Sequence, residues 1–140
     1  MLLRKMMSKL GVGSAYVDLR LNKQMLQQGD MMEGELYIRG GTVDQKIEKL
    51  DVDFVCKTIR DGKEEDTVIA TIPAAGEFVI EEEETKVLPF RYRLPDEIVP
   101  SQPGVSYRFI TRLYIEDAID TLDFDYIQIV PKEKKFKNLY

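Results

Sequence analysis

The sequence predicts an all-β domain built as a sandwich of two antiparallel sheets. Apolar and polar residues alternate along most of the 140-residue chain, at the period of two that is typical of half-buried strands. Turn signals from glycine, proline and aspartate divide the chain into about eight or nine such stretches, none of them a long helix. Several short strands at this spacing are typical of an antiparallel sandwich or barrel.

Short alternations bounded by glycine predict the first strands. The alternating apolar positions are Val17, Leu19 and Leu21 in one strand and Leu36 and Ile38 in the next, with turn signals at 28–30 and 40–41. Each apolar set is separated by charged or polar residues, so each strand is expected to bury one face and expose the other.

The longest clean alternation predicts a central strand. Its apolar positions are Leu50, Val52, Phe54 and Cys56. Asp61 and Gly62 then form a hairpin-type signal that leads into a strand over 67–72. Cys56 lies on the apolar face of this strand, where a thiol behaves as a small hydrophobe rather than a nucleophile.

The second half of the chain continues the pattern with strands of uneven length. A short strand is expected at 78–80, and the run of acidic residues at 81–84 is interpreted as a solvated loop. Further apolar faces comprise Leu88, Phe90, Tyr92 and Leu94, then Tyr107, Phe109, Thr111, Leu113 and Ile115, with a last strand at 124–130. Because the lengths are uneven, two packed sheets fit better than a closed barrel.

The composition excludes most enzyme mechanisms. The chain has 20 Lys and Arg against 25 Asp and Glu, a net charge of −5, no histidine and one cysteine. The acidic balance argues against a nucleic-acid partner, and the lack of histidine excludes the common catalytic triads. One cysteine excludes an internal disulfide or a cysteine-based zinc site, and suits the reducing cytoplasm. We therefore expect a cytoplasmic, non-catalytic domain without a cofactor.

One acidic cluster could hold a metal. It comprises Glu116, Asp117, Asp120, Asp123 and Asp125. Clustered oxygen ligands suit calcium, although the turn glycine and terminal glutamate of a helix-loop-helix calcium site are absent. The preferred interpretation assigns no metal and makes this a solvated corner whose acids pair with Arg91, Arg93, Arg108 or Arg112. The alternative is a metal- or carbohydrate-binding sandwich that uses Asp117, Asp120, Asp123 and Asp125.

The N-terminal residues form a basic and apolar segment over 1–10. As a helix it would gather Leu2, Leu3, Met6, Met7 and Leu10 near one face, with cationic residues at the margins. It would pack on its own domain or dock on a partner, with a membrane surface as a further alternative. If Leu2, Met6 and Leu10 pack on the sheet, deletion of 1–10 should lower stability. The domain itself is assigned to 11–131, and 132–140 to a basic tail or linker.

Outward-facing apolar residues and free strand edges are the candidate binding surfaces. Ile110 and Tyr114 lie on the face opposite Tyr107 and Phe109, and Leu3 and Met7 belong to the N-terminal segment. Ile110 and Tyr114 either meet that segment or contact a partner. Strand edges and end loops are further sites where a protein partner or a second copy of the chain could bind.

The order of several motifs resembles a known family. The motifs are Gly11–Ala15 before Val17-Asp18-Leu19, Gly29-Asp30, Gly34–Ile38, Gly40-Gly41, Gln45–Ile47, Leu94-Pro95, Val99–Ser101, and the run from Tyr107 through Ile115 to Asp123–Ile127. Together they resemble the N-terminal half of the bacterial sporulation-control protein M family, which is arrestin-like. The resemblance covers roughly residues 10 to 131 and rests on turn glycines and alternating strands.

The resemblance implies an immunoglobulin-like, arrestin-type β-sandwich with a cytoplasmic regulatory or adaptor role in sporulation and no catalysis. Members usually carry a second arrestin-like domain, so these 140 residues are either one domain of a longer protein or a naturally short member. No partner-binding residue of the family can be assigned to a position here.

Overall fold

The computed structural model describes residues 2–9 and 13–132. One helix precedes nine strands: α1 (Leu2–Lys9), β1 (Tyr16–Leu21), β2 (Met25–Gln27), β3 (Met31–Arg39), β4 (Gln45–Arg60), β5 (Lys63–Ala75), β6 (Phe78–Ile80), β7 (Thr85–Arg93), β8 (Val105–Ile115) and β9 (Thr121–Val130). Residues 2–9 of the N-terminal segment are therefore helical, and the predicted strands are present together with β2, which was not predicted.

The strands form two sheets. The smaller sheet has the order β1-β3-β7, and the larger has the order β2-β9-β8-β4-β5, with β6 paired to the start of β4. Every pairing is antiparallel except that of β2 with β9, which is parallel. The predicted all-β, antiparallel fold is confirmed.

The predicted alternation places the core between the sheets. The inward residues of β4 and β8, among them Leu50, Val52, Phe54, Phe109 and Leu113, are fully buried. Phe54 lies at the centre of an aromatic cluster, with ring centroids 5.1 Å from Phe109, 5.3 Å from Tyr92 and 5.6 Å from Tyr107. Burial raises the pKa of Tyr107 to about 12, and its hydroxyl donates to the Val99 carbonyl oxygen.

The strand boundaries differ from the predicted ones at two places. β4 and β5 together form a hairpin that is longer than the alternation indicated, and Asp61 and Gly62 at its tip both have positive φ, at 51° and 76°. This conformation suits the predicted hairpin turn. Sequence reasoning did not find β2, because three residues that pair with a strand about a hundred positions later carry no period of their own.

One continuous segment connects the two sheets. β1 pairs with β3 in the smaller sheet, and β2, three residues further on, pairs with β9 in the larger sheet. The side chain of Asp123 on β9 accepts a hydrogen bond of 2.7 Å from the Leu19 amide of β1, 104 residues away. The amide of Gln128 donates to the Gln24 carbonyl oxygen at the same separation. The seam between β1–β2 and β9 therefore closes one side of the sandwich.

The opposite ends of the strands are held by close backbone contacts. Gly41 lies so near the Gly13 carbonyl oxygen that a Cβ atom would approach it to 2.0 Å, and Gly40 has the same relation to Glu81. The predicted glycine pair is thus required by packing rather than by a turn conformation. The acidic run at 81–84 forms the turn between β6 and β7, with three of its four residues exposed, as expected for a loop.

Candidate functional site

β5 is an open edge of the larger sheet. It runs for 13 residues and pairs on one side with β4; no described strand pairs with its other side. Its first seven residues are all exposed, and the stretch 67–72 carries no charge. Edge strands commonly carry charges or proline that prevent pairing, and in β5 such residues lie outside this stretch, at 63–66 and at Pro73. Residues 67–72 are the part of this edge without charges or proline, and a bulge at Ile69, which has no partner in the register with β4, interrupts them.

Both edges of the smaller sheet are protected. β7, one edge of the smaller sheet, carries Pro89 in its middle together with Lys86, Arg91 and Arg93. The free side of β1 faces β9 across the seam, where Asp123 takes up the Leu19 amide. Because proline and charges suppress strand pairing, β5 is the edge best suited to accept a partner strand.

An ion pair between Arg108 and Asp66, which we call the Arg108–Asp66 clamp, links β8 to β5 across the exposed face of the larger sheet. The guanidinium group of Arg108 on β8 reaches across β4 to Asp66 on β5, with Nη2 2.9 Å from the carboxylate. Arg108 is 7% exposed and covers Val55, which is 2% exposed although it lies on the outer face. The hydrogen bond from Arg108 lowers the pKa of Asp66. The clamp fixes the start of β5 in place.

The outer face of β9 carries an apolar stripe. Leu122, Phe124 and Tyr126 occupy three successive outward positions and are 44%, 51% and 60% exposed. Phe124 lies directly opposite Ile110 on β8. We call Leu122, Phe124 and Tyr126 the β9 stripe. Contiguous apolar side chains on a surface commonly mark an interaction site.

The predicted partner residues on β8 are placed as expected but are less exposed than the β9 stripe. Ile110 and Tyr114 do lie opposite the core residues Tyr107 and Phe109, and both are half-buried. Lys49 lies 4.5 Å from the centroid of the Tyr114 ring, and the Arg112 guanidinium 5.5 Å from it. Tyr114 therefore contacts cationic side chains of its own sheet.

Sequence reasoning missed the β9 stripe, although its signal was present. The buried residues Ile127 and Ile129 have odd numbers, so the even-numbered apolar residues of the same strand must point outward. In the sequence, Asp123 and Asp125 of the same strand were instead interpreted as candidate metal ligands. Both point inward, since they pair with Thr111 and the fully buried Phe109 on β8.

The acids of the alternative metal site have separate roles. Asp120 accepts from the Ile115 amide at 3.1 Å, and Asp117 has a positive φ of 56° in the same turn. Asp123 binds the Leu19 amide in the seam. Among residues 2–9 and 13–132, no three acidic, cysteine or histidine side chains are placed to hold a metal ion.

The arginines expected to pair with these acids have other partners. Arg91 lies 3.3 Å from Glu33, Arg93 lies 3.8 Å from Asp96, and Arg108 pairs with Asp66. The expectation of pairing at this corner is therefore wrong for these three residues, because Arg91 and Arg93 lie on β7 of the smaller sheet and Arg108 lies opposite Tyr126, away from the β8–β9 turn.

Asp125 lies in an unusual environment. Its Oδ2 atom is buried without a hydrogen-bond partner among the described residues. Burial, a side-chain hydrogen bond with Asp123 and the charges of Asp123 and Asp18 together raise the pKa of Asp125 to about 7. The seam thus contains a carboxyl group that ionises near neutral pH.

The apolar side chains of α1 are exposed. Leu3, Met6 and Met7 are 69%, 56% and 39% exposed. Leu10 lies outside the described residues, as does the side chain of Leu2, so the predicted packing of those two on the sheet stays a prediction. Within the described part of the chain, no helix has the length and apolar character needed to cross a bilayer.

Comparisons with known proteins match this chain to a family model, to a relative and to solved structures. Residues 3–138 match the family model described as SpoOM protein. The sporulation-control protein spo0M of Bacillus subtilis (strain 168) is 30% identical over 128 residues, which cover 89% of this chain and 50% of that protein. The crystal structure of Spo0M, the sporulation control protein from Bacillus subtilis, superposes with a TM-score of 0.78 at 26% identity, covering 84% of this chain and 50% of that one. The chain spans about half the length of these relatives.

Proposed function

We propose, because this chain belongs to the SpoOM protein family, that it is a non-catalytic regulatory module of sporulation control that acts in the cytoplasm by binding a protein partner. The regulatory role is supported by the name and sequence of the relative. The mode of binding is our own inference from the edges of the two sheets.

The open edge of β5 is the observation that carries this proposal. An extended segment of a partner would add to the larger sheet as a further strand, because main-chain groups along the free side of β5 lack a described neighbour strand. Val68 and Ile69, which are 55% and 38% exposed, would contact side chains of the added strand. Main-chain hydrogen bonds would provide affinity and these side chains would provide selectivity.

The Arg108–Asp66 clamp prepares this edge for binding. Since Arg108 is buried and its partner lies at the start of β5, the hairpin is held in one geometry before a partner arrives. Pre-ordering of this kind lowers the entropy lost on association.

A substitution on the edge tests the proposal. Ile69→Lys places a charge on the unprotected stretch, and Val87→Lys is the matched control, since Val87 is an exposed valine on the edge strand β7 of the smaller sheet. In the organism that encodes the chain, we expect Ile69→Lys to change spore yield as deletion of the gene does, and Val87→Lys to leave it unchanged. A correctly folded Ile69→Lys protein with normal spore yield would contradict the proposal.

Site-specific photo-crosslinking identifies the contact directly. A crosslinking amino acid at Thr67 or Ala70 should give a protein adduct in sporulating cells, and the same amino acid at Val87 should not. Adducts of equal yield at all three positions, or at none, would contradict binding at the β5 edge.

A further inference from the structure

The β9 stripe and α1 are two exposed apolar surfaces of the same chain. Leu3 and Met6 are more than half exposed in the structure in which Phe124 and Tyr126 are also more than half exposed. The helix is therefore not seated on the stripe of its own chain. Each surface needs a partner that is short, apolar and complementary in charge to its surroundings.

The two surfaces match in length. α1 has eight residues, which gives a helix of about 12 Å at 1.5 Å per residue. The β9 stripe spans four residue steps from Leu122 to Tyr126, which is about 13 Å in a strand. Leu3, Met6 and Met7 have the spacing of one helix face, so they would contact the three side chains of the stripe together.

The charges at one end of the stripe are complementary to those of α1, whereas Arg112 of β8 lies beside Leu122 at the same end. The described helix LLRKMMSK carries three cationic residues and no acid. The β8–β9 turn at the end of the stripe carries Glu116, Asp117 and Asp120, and the first two of these are exposed. A basic helix laid along the stripe would bring its cations close to this acidic turn.

The exposed area favours a reciprocal contact over a single one. Half of three large side chains amounts to roughly 300 Å² on the stripe, and a similar area on α1 makes one contact worth about 600 Å². Specific interfaces need about 1,200 Å² in total, which two such contacts provide. A two-fold arrangement supplies both contacts at once, because each copy contributes one helix and one stripe.

We propose that the chain forms a two-fold dimer in which α1 of each copy lies on the β9 stripe of the other copy. The same arrangement explains why the outward positions of β9 from 122 to 126 are apolar. It uses the larger sheet on a face separate from the β5 edge, so the dimer leaves that edge free for a partner.

Light scattering over a concentration series tests the dimer. The full chain should give twice the monomer mass at high concentration. Phe124→Lys and Met6→Lys should each weaken the dimer at least tenfold, because each removes apolar contact and adds repulsion in both copies of the interface. Tyr126→Lys provides a second stripe variant, should Phe124→Lys fail to fold.

Two controls separate this dimer from other association. Val87→Lys and Ile69→Lys should leave the dimer intact, and the second shows that loss of edge binding and loss of the dimer are independent. Met6→Cys combined with Phe124→Cys should give an oxidised dimer whose interchain bond joins residues 6 and 124. A wild-type chain that stays monomeric at high concentration, or a dimer that survives both Phe124→Lys and Met6→Lys, would overturn the proposal.

Discussion

β8 and β9 are neighbours in one sheet but orient their phenylalanines in opposite directions. Phe109 of β8 points inward and is fully buried, whereas Phe124 of β9 points outward and is 51% exposed. The inward position of β9 directly opposite Phe109 is occupied by Asp125. The comparison shows that β9 has two parts with different roles. Residues 127–130 extend the core. Residues 121–126 close the seam with the inner face of the strand and present apolar side chains on its outer face.

The largest expected effect on stability comes from a substitution at Phe109 of β8. Phe109→Ala should lower the free energy of unfolding by about 3–5 kcal/mol, because it removes a fully buried ring and leaves a cavity in the aromatic cluster. Urea unfolding measures the loss. If Phe109→Ala were nearly neutral, the core would not lie between the sheets as described.

The next largest effect on stability is expected at Asp123, one of the two inward acids of β9. Asp123→Ala should cost about 1–3 kcal/mol, because the Leu19 amide then loses its acceptor in a partly buried position. Amide hydrogen exchange of Leu19 should accelerate more than that of Leu36, its neighbour in the smaller sheet. Equal exchange at both residues would show that the seam does not depend on Asp123.

Asp125 makes stability depend on pH. Its folded-state pKa of about 7 lies above the ordinary value of 3.8, so the folded chain binds the proton more tightly than the unfolded chain. Stability should therefore fall as the pH rises from about 4 to about 7, and then level off. The groups that face Asp125 are Asp123 on its own strand and Asp18 on β1, and Asp18 is paired with Arg20.

The variant Asp125→Asn should remove this slope. At pH 8 it should be more stable than the wild type by about 1–2 kcal/mol, since the carboxyl group is partly exposed and water screens its neighbours. Thermal unfolding at pH 5 and pH 8 measures the difference. A wild-type chain that is more stable at pH 8 than at pH 5 would contradict this assignment.

The outward side of β9 should give the smallest effect on the isolated fold. Phe124→Ala should change the stability of the monomer by no more than about 0.5 kcal/mol, because its ring already contacts water. The measurement is made at low protein concentration, where a dimer does not contribute. A loss as large as that of Phe109→Ala would mean that the stripe belongs to the core.

The fold was predictable because its signal is local. Alternation at Leu50, Val52 and Phe54 is enough to place one face of β4 in the core, and Asp61-Gly62 marks the hairpin turn. The family resemblance, which rests on the order of such motifs, is confirmed by the match over residues 3–138. These features depend on residues close together in the chain, so the sequence displays them directly.

The candidate sites were less predictable because they depend on distant residues. The sequence shows Asp123 and Asp125 as part of an acidic cluster, but their inward orientation is set by pairing with β8, and the amide that Asp123 binds lies on β1, 104 residues away. The open edge of β5 likewise depends on which strands lack neighbours, which alternation does not reveal. Ile110 and Tyr114 were placed on the correct face, yet the more exposed residues lie on β9.

The seam also sets the order in which the protein can fold. Its contacts join β1 and β2 to β9, so both sides exist only after nearly the whole domain has been synthesised. Contacts of such large sequence separation form slowly, because the loop between them must close first. During synthesis, the β4–β5 hairpin can form early, because its residues are neighbours in the chain. At that stage β1 still lacks its contact with β9. The uncharged edge of β5 is therefore presented on an incomplete domain until β8 and β9 have been added to the sheet.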